Sequence, residues 1–232
     1  MGAFRKSCLY ILAGALAFFP VLMLGSQALG LRLYLRHSSA CAIILAVLCV
    51  ACVILSERRE DQPSLPRRIC ADLLCPLAIL CWIVFLIKGM TLTVLICMAI
   101  CLICAIVLCS GINAGRGKLA GMIVGILAAI PLCLLSGLDL LFSGLVYNTV
   151  VQTLSSPDGQ YYAQVIDSDQ GALGGDTLVE VHSRPCLDAG LFCIAQTPQC
   201  VFAGDWGIWK TMEITWQDYD TLIINGEAYD IE

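Results

Sequence analysis

The residues with the greatest chemical potential in this chain are its 15 cysteines, together with a few paired carboxylates and two histidines. Cys49-x-x-Cys52 and Cys101-x-x-Cys104 have metal-ligand spacing, and Cys97 falls on the same helical face as the second pair. Both pairs lie in greasy segments, where a thiolate needs a buried metal to hold it. Small apolar packing residues are the competing reading, and the sequence favours it. Cys186, Cys193 and Cys200 recur every seven residues in a polar region, and a Cys186–Cys200 disulfide would staple the loop between two strands.

Asp167, Asp169 and Asp176 place carboxylates as calcium loops do. A loop of the helix-loop-helix type also needs an oxygen ligand at its fifth position and a glutamate at its twelfth. Those positions hold Gly171 and Leu178, so an irregular Ca2+ site is the one cofactor reading left, beside a solvated acidic hairpin loop. Gly171, Gly174 and Gly175 precede no Lys-Ser/Thr pair and are expected to supply turn conformations rather than a phosphate cradle. Asp205, Trp206 and Trp209 form the remaining candidate, a Gly-bounded turn whose indoles either fill a small core or contact a glycan, headgroup or protein. No Gly-x-Ser-x-Gly elbow accompanies His37 or His182, so the catalytic expectation is none.

The elements that must position these residues are set by hydropathy. The chain has 232 residues, 59% of them hydrophobic and 13% charged, where a soluble domain carries about 25% charged. A bilayer core about 30 Å thick takes roughly 20 apolar residues of helix. Runs of that kind occupy residues 8–31, 38–55, 69–87, 90–110 and 119–141, which predicts five membrane spans within residues 1–147. Ser26-Gln27-Ala28 also resembles a signal-cleavage site, although the first apolar run is longer than a usual signal core. Gly121-x-x-x-Gly125 predicts close helix packing, inside the bundle or across a dimer. The charged residues Asp72 and Asp139 lie near span ends, which counts against ion-coupled transport.

Charge divides the chain. Residues 1–147 carry 11 Lys/Arg against 5 Asp/Glu, a net of +6, whereas residues 148–232 carry only Arg184 and Lys210 against 13 acids, a net of −11. An acidic module is a poor nucleic-acid partner. Basic residues in short loops stay in the cytoplasm. An inside N-terminus puts eight of them inside (Arg5, Lys6, Arg58, Arg59, Arg67, Arg68, Arg116, Lys118) and three outside (Arg32, Arg36, Lys88). Five spans then leave residues 148–232 outside, in an extracytoplasmic domain. Val/Thr-rich stretches there, a Ser156-Pro157-Asp158-Gly159 turn and an Asn225-Gly226 hairpin signal predict a small antiparallel all-β fold.

Ser156-Pro157-Asp158-Gly159-Gln160-Tyr161, Gly171-Ala172-Leu173-Gly174-Gly175 and the ending Ile214-Thr215-Trp216, Asp218, Thr221 to Gly226 carry a resemblance. Residues 150–232 resemble the C-terminal module of the domain of unknown function family 5412, small bacterial membrane-anchored proteins. The resemblance implies a compact β-module outside the membrane and supplies no activity. The five-helix part departs from the single anchor common among such proteins. The expected function is therefore a non-enzymatic membrane protein whose outer module binds, senses or contacts a membrane or cell-surface protein. Its alternatives are a channel, a transporter or its accessory subunit, and, less favoured, a membrane-embedded enzyme.

Overall fold

A computed structural model describes residues 2–56, 64–112 and 116–231, with the side chains of residues 2–6, 112, 116–120 and 173 outside the description. The chain divides into a helical unit, made of residues 1–28, 33–140 and 190–192, and a β-module made of residues 29–32, 141–189 and 193–232. Arg58 and Arg59, which contribute to the expected orientation, lie outside the described residues, as do the side chains of Arg5, Lys6, Arg116 and Lys118.

The helical unit contains α1 (Gly2–Ala28), the short strand β1 (Arg32–Leu35), α2 (Ser38–Leu55), α3 (Leu65–Lys88), α4 (Leu92–Ile112) and α5 (Arg116–Phe142). All five helices are long and apolar enough to cross a bilayer. Uninterrupted Leu, Ile, Ala and Cys favour helix throughout, and Pro20, Pro76 and Pro131 are accommodated inside it. The first helix stops three residues earlier than hydropathy predicts, just before the left-handed Gly30 (φ +73°). Gly89 ends α3 at φ +132°, its amide donating to Phe85 O.

Helices α1 to α4 close a ring in which α1 and α4 each pack on both α2 and α3. Helices α2 and α4 run in matched register, offset by 52 residues: Ser39 meets Thr91 at 3.0 Å, and Cys49 Sγ lies 3.6 Å from Cys101 Sγ. Helix α5 touches this ring sparingly. Its Gly121-x-x-x-Gly125 face lies on α4, where an added Cβ would come 2.6 Å from Cys109 Sγ and 2.7 Å from Ile106 Cδ1. Close packing therefore occurs within one chain. Further along, Trp82 Nε1 of α3 donates to Ser136 Oγ of α5 at 3.0 Å, in the buried interior.

The β-module contains β2 (Tyr147–Ser155), β3 (Tyr161–Asp169), β4 (Gly175–Ser183), β5 (Leu187–Asp188), β6 (Phe192–Ala195), β7 (Gln199–Asp205), β8 (Ile214–Trp216), β9 (Thr221–Ile224) and β10 (Glu227–Asp230). One antiparallel sheet has the order β2-β3-β4-β7, and a second has the order β10-β9-β8. Alternate residues of both sheets form one core, with Val165, Val179 and Val181 meeting Ile214, Leu222 and Ile224. Trp216 Nε1 donates to Leu154 O at 3.2 Å and ties the second sheet to β2. The Asn225-Gly226 turn has both residues left-handed, at φ +51° and +86°, as a two-residue hairpin requires. The β5–β6 hairpin was not foreseen; Leu187 pairs Ile194 around the left-handed Gly190.

Candidate ligand site of the β-module

The Ser156–Gly159 turn is built by its own side chains. Gly159 N donates to Ser156 O at 2.9 Å, closing the turn, and Gly159 adopts φ +68°. The buried Ser156 hydroxyl donates to Asp158 Oδ1 at 2.7 Å, and Gln160 N donates to the same oxygen at 3.0 Å. These two donors, the Ser156 hydroxyl first, hold the Asp158 carboxyl below its ordinary range, helped by the nearby Arg184 charge.

Where β4 ends, Arg184 N donates to Gln160 O at 3.0 Å and anchors its residue beside the turn. The guanidinium lies over Gly159, where an added Cβ would stand 2.9 Å from Nη2. Between them opens a cleft of about 400 Å3, bordered by Asp158, Tyr161, Arg184, Cys186, Gln196 and Tyr219. It brings together a carboxylate, a guanidinium, two phenols, an amide and a thiol. Arg184 forms no ion pair among the described residues. Lys210, the module's other cation, sits 5.6 Å over the ring of Trp209. Of the residues bordering the cleft, only Cys186 stands out in the sequence, as a disulfide candidate rather than a ligand group. The available signal was Arg184 itself, a minority charge among 13 acids.

The sequence candidates are distributed differently. Asp167 and Asp169 share the core-facing side of β3 with Val165, while Asp176 pairs with Ser168 and projects to the opposite face. The pleat therefore separates the carboxylates that the calcium reading groups. Asp169 Oδ1 accepts from Gly171 N at 2.8 Å and Asp176 Oδ2 from Gln170 Nε2 at 3.1 Å. No cluster of three or more His, Cys, Asp or Glu side chains able to hold a metal occurs among the described residues. Trp206 and Trp209 also part company. Trp209 packs against the core, whereas Trp206 is exposed, its ring lying on Gly175, where any Cβ would collide. Asp205 stands opposite Asp176 on the neighbouring strand.

Cys186, Cys193 and Cys200 are all free thiols, so the Cys186–Cys200 bridge is not formed. Cys186 leads into the β5–β6 hairpin, its amide donating to Ile194 O at 2.8 Å, while Cys200 belongs to β7 in the four-stranded sheet. Cys200 faces Glu180, which lies 3.4 Å from His182 Nε2 in a contact lacking hydrogen-bond geometry. Burial and the Glu180 charge both push the Cys200 thiol up, away from the thiolate form. His182 stacks on Tyr162 at 5.0 Å, and burial pulls its pKa below the usual value despite Glu180.

Within the helical unit the Cys-x-x-Cys pairs of α2 and α4 face each other as packing groups, buried with Ala and Leu. His37 N donates to Leu191 O of the β5–β6 loop at 3.2 Å, and Ser39 Oγ lies 3.0 Å from Thr91 Oγ1 at the start of α4. The chain matches no protein-family model, no curated protein and no solved structure.

Proposed function

We propose that this chain is a multi-pass membrane protein with a cytoplasmic N-terminus, whose extracytoplasmic β-module is a non-enzymatic binding or sensing element. The observation that carries the binding reading is the cleft at Arg184. It is polar, and it holds opposite charges that do not neutralise each other in an ion pair among the described residues. Membrane insertion is supported by the outer surface of the five helices, on which large aliphatic side chains such as Ile44, Leu127 and Leu141 are exposed. Outward Leu and Ile at this density are tolerated only where lipid replaces water.

A transport reading is less well supported. Inside the four-helix ring the buried side chains are chiefly Cys, Ala, Leu, Phe and Trp, and Arg67, near the start of α3, is the buried charge among the described residues. Ion and substrate paths place ionisable groups at depth. The sidedness is tested by alkaline phosphatase, which is active only outside, fused after Ser56 or after Ile231. Activity from the second fusion alone is expected. The reverse pattern would overturn the reading. Flux of solutes through vesicles reconstituted with the pure protein would instead establish the transport alternative.

A further inference from the structure

We propose that the cleft between the Ser156–Gln160 turn and Arg184 binds a small zwitterion bearing a carboxylate and an ammonium group, of the amino-acid or dipeptide class. The proposal rests on the β-module being the binding part of the protein and names what it takes.

Arg184 supplies a planar fork of donors that matches a carboxylate. Its availability is unusual: the module contains 13 acids, yet none of the described ones closes an ion pair with it. Gly159 leaves room for the guanidinium in its present position, where an added Cβ would stand 2.9 Å from Nη2 and make it shift. Beside it the Ser183 hydroxyl, which also lines the cleft, is buried without a hydrogen-bond partner and stands ready as a second donor. Asp158 faces the other part of the ligand. Its Oδ1 is occupied by Ser156 and Gln160, and Oδ2 has no partner among the described residues. That oxygen can accept from an ammonium group, and the rings of Tyr161 and Tyr219 border the same cleft with faces that attract cations.

Net charge decides between a plain anion and a zwitterion. A module of net −11 repels a free anion from a distance, while a zwitterion carries no net charge and gains from both poles once seated. The volume of about 400 Å3 lies in the range of small-molecule sites and exceeds what a single ion needs.

Cys186 provides the readout, because its thiol is exposed and borders the cleft, whereas the exposed Cys200 does not. Purified full-length protein in detergent is labelled with a maleimide at each site, with glycylglycine as probe. Occupancy should slow Cys186 labelling by the factor 1 + [L]/Kd, about tenfold at ten times Kd, and leave Cys200 unchanged. N-acetyl-glycylglycine and glycylglycinamide, each lacking one pole, should protect far less. Arg184→Gln and Asp158→Asn should each abolish protection while the β-sheet circular dichroism stays intact. Protection by acetate equal to that by glycylglycine would replace the zwitterion with a simple carboxylate site. Stronger protection by phosphoethanolamine would replace the carboxylate with a phosphate. No protection by glycylglycine at any soluble concentration would overturn the proposal. Should that happen while the fused phosphatase is active outside, the ligand class fails and the outer module stands; an inactive outer fusion removes the broader reading itself.

Discussion

The helical unit and the β-module solve opposite solvent problems with the same apolar alphabet. In the β-module, Val179 and Leu222 are 0% exposed, and carboxylates such as Asp176, Asp205 and Glu227 are exposed. In the helical unit, Leu127 and Leu134 are each 64% exposed, while Cys49, Cys81, Ala71 and Ala105 fill the interior beside Trp82, Phe85 and Leu74. Water expels aliphatic side chains into a core, so the module packs Val165, Val179, Leu222 and Ile224 between its sheets. In the proposed membrane setting lipid would give no such incentive, and close approach of small residues and dispersion contacts would hold the helices together. Cysteine, with 12 of its 15 copies in residues 1–147, serves there as a small apolar filler.

The comparison breaks most visibly where each unit is loosened by its own mechanism. Leu222→Ala opens a cavity between the two sheets and should cost the β-module about 2–5 kcal/mol, read in a denaturant titration in detergent as an earlier change in tryptophan fluorescence, to which the module contributes Trp206, Trp209 and Trp216. The helical circular dichroism should persist through that transition. Simultaneous loss of both signals would show that the two parts do not stabilise themselves separately. Gly125→Leu does the converse, driving a side chain into Ile106. Overpacking costs about 1–3 kcal/mol, and Ile106→Ala in the same chain should restore much of it. Absence of rescue would place the Gly121/Gly125 face elsewhere.

A smaller effect sharpens the contrast in polar interactions. Ser136→Ala removes the acceptor of the Trp82 indole, and buried hydrogen bonds between membrane helices average about 0.6 kcal/mol. Thermal unfolding in detergent should therefore shift by only about a degree or two, and a large collapse would contradict a packing-dominated bundle. The smallest expected effect concerns pH. His182 is held neutral by burial, so its folded pKa lies below the ordinary value. Below its ordinary pKa the unfolded chain binds the proton more readily than the folded one. Module stability should then be full above that value and decline as pH falls from it toward the depressed folded pKa. His182→Gln should flatten this slope; an unchanged slope would assign it to the carboxylates.

Much of this architecture was legible in the residues. Runs of Leu, Ile and Cys about 20 long fix the five helices, and Asn225-Gly226 and Ser156-Pro157-Asp158-Gly159 fix two turns, because each depends on local composition or backbone conformation alone. The β5–β6 hairpin was missed because its strands are only two and four residues long, too short for an alternating pattern to register. The Ca2+ grouping of Asp167, Asp169 and Asp176 looked coherent in sequence because spacing does not reveal which side of a pleat a carboxylate takes. The Arg184 cleft depends on bringing residues 158, 184 and 219 together, a long-range outcome of strand order. Its one local trace was an arginine where nearly every other charge is negative.

The most direct test of the central claim uses the protein's own thiols. A charged, membrane-impermeant maleimide added to intact cells should label the exposed Cys186 and Cys200, and should spare the ten thiols buried within the helical unit. Labelling of Cys186 and Cys200 only after the membrane is permeabilised would contradict a chain that crosses the bilayer five times and carries its acidic module outside.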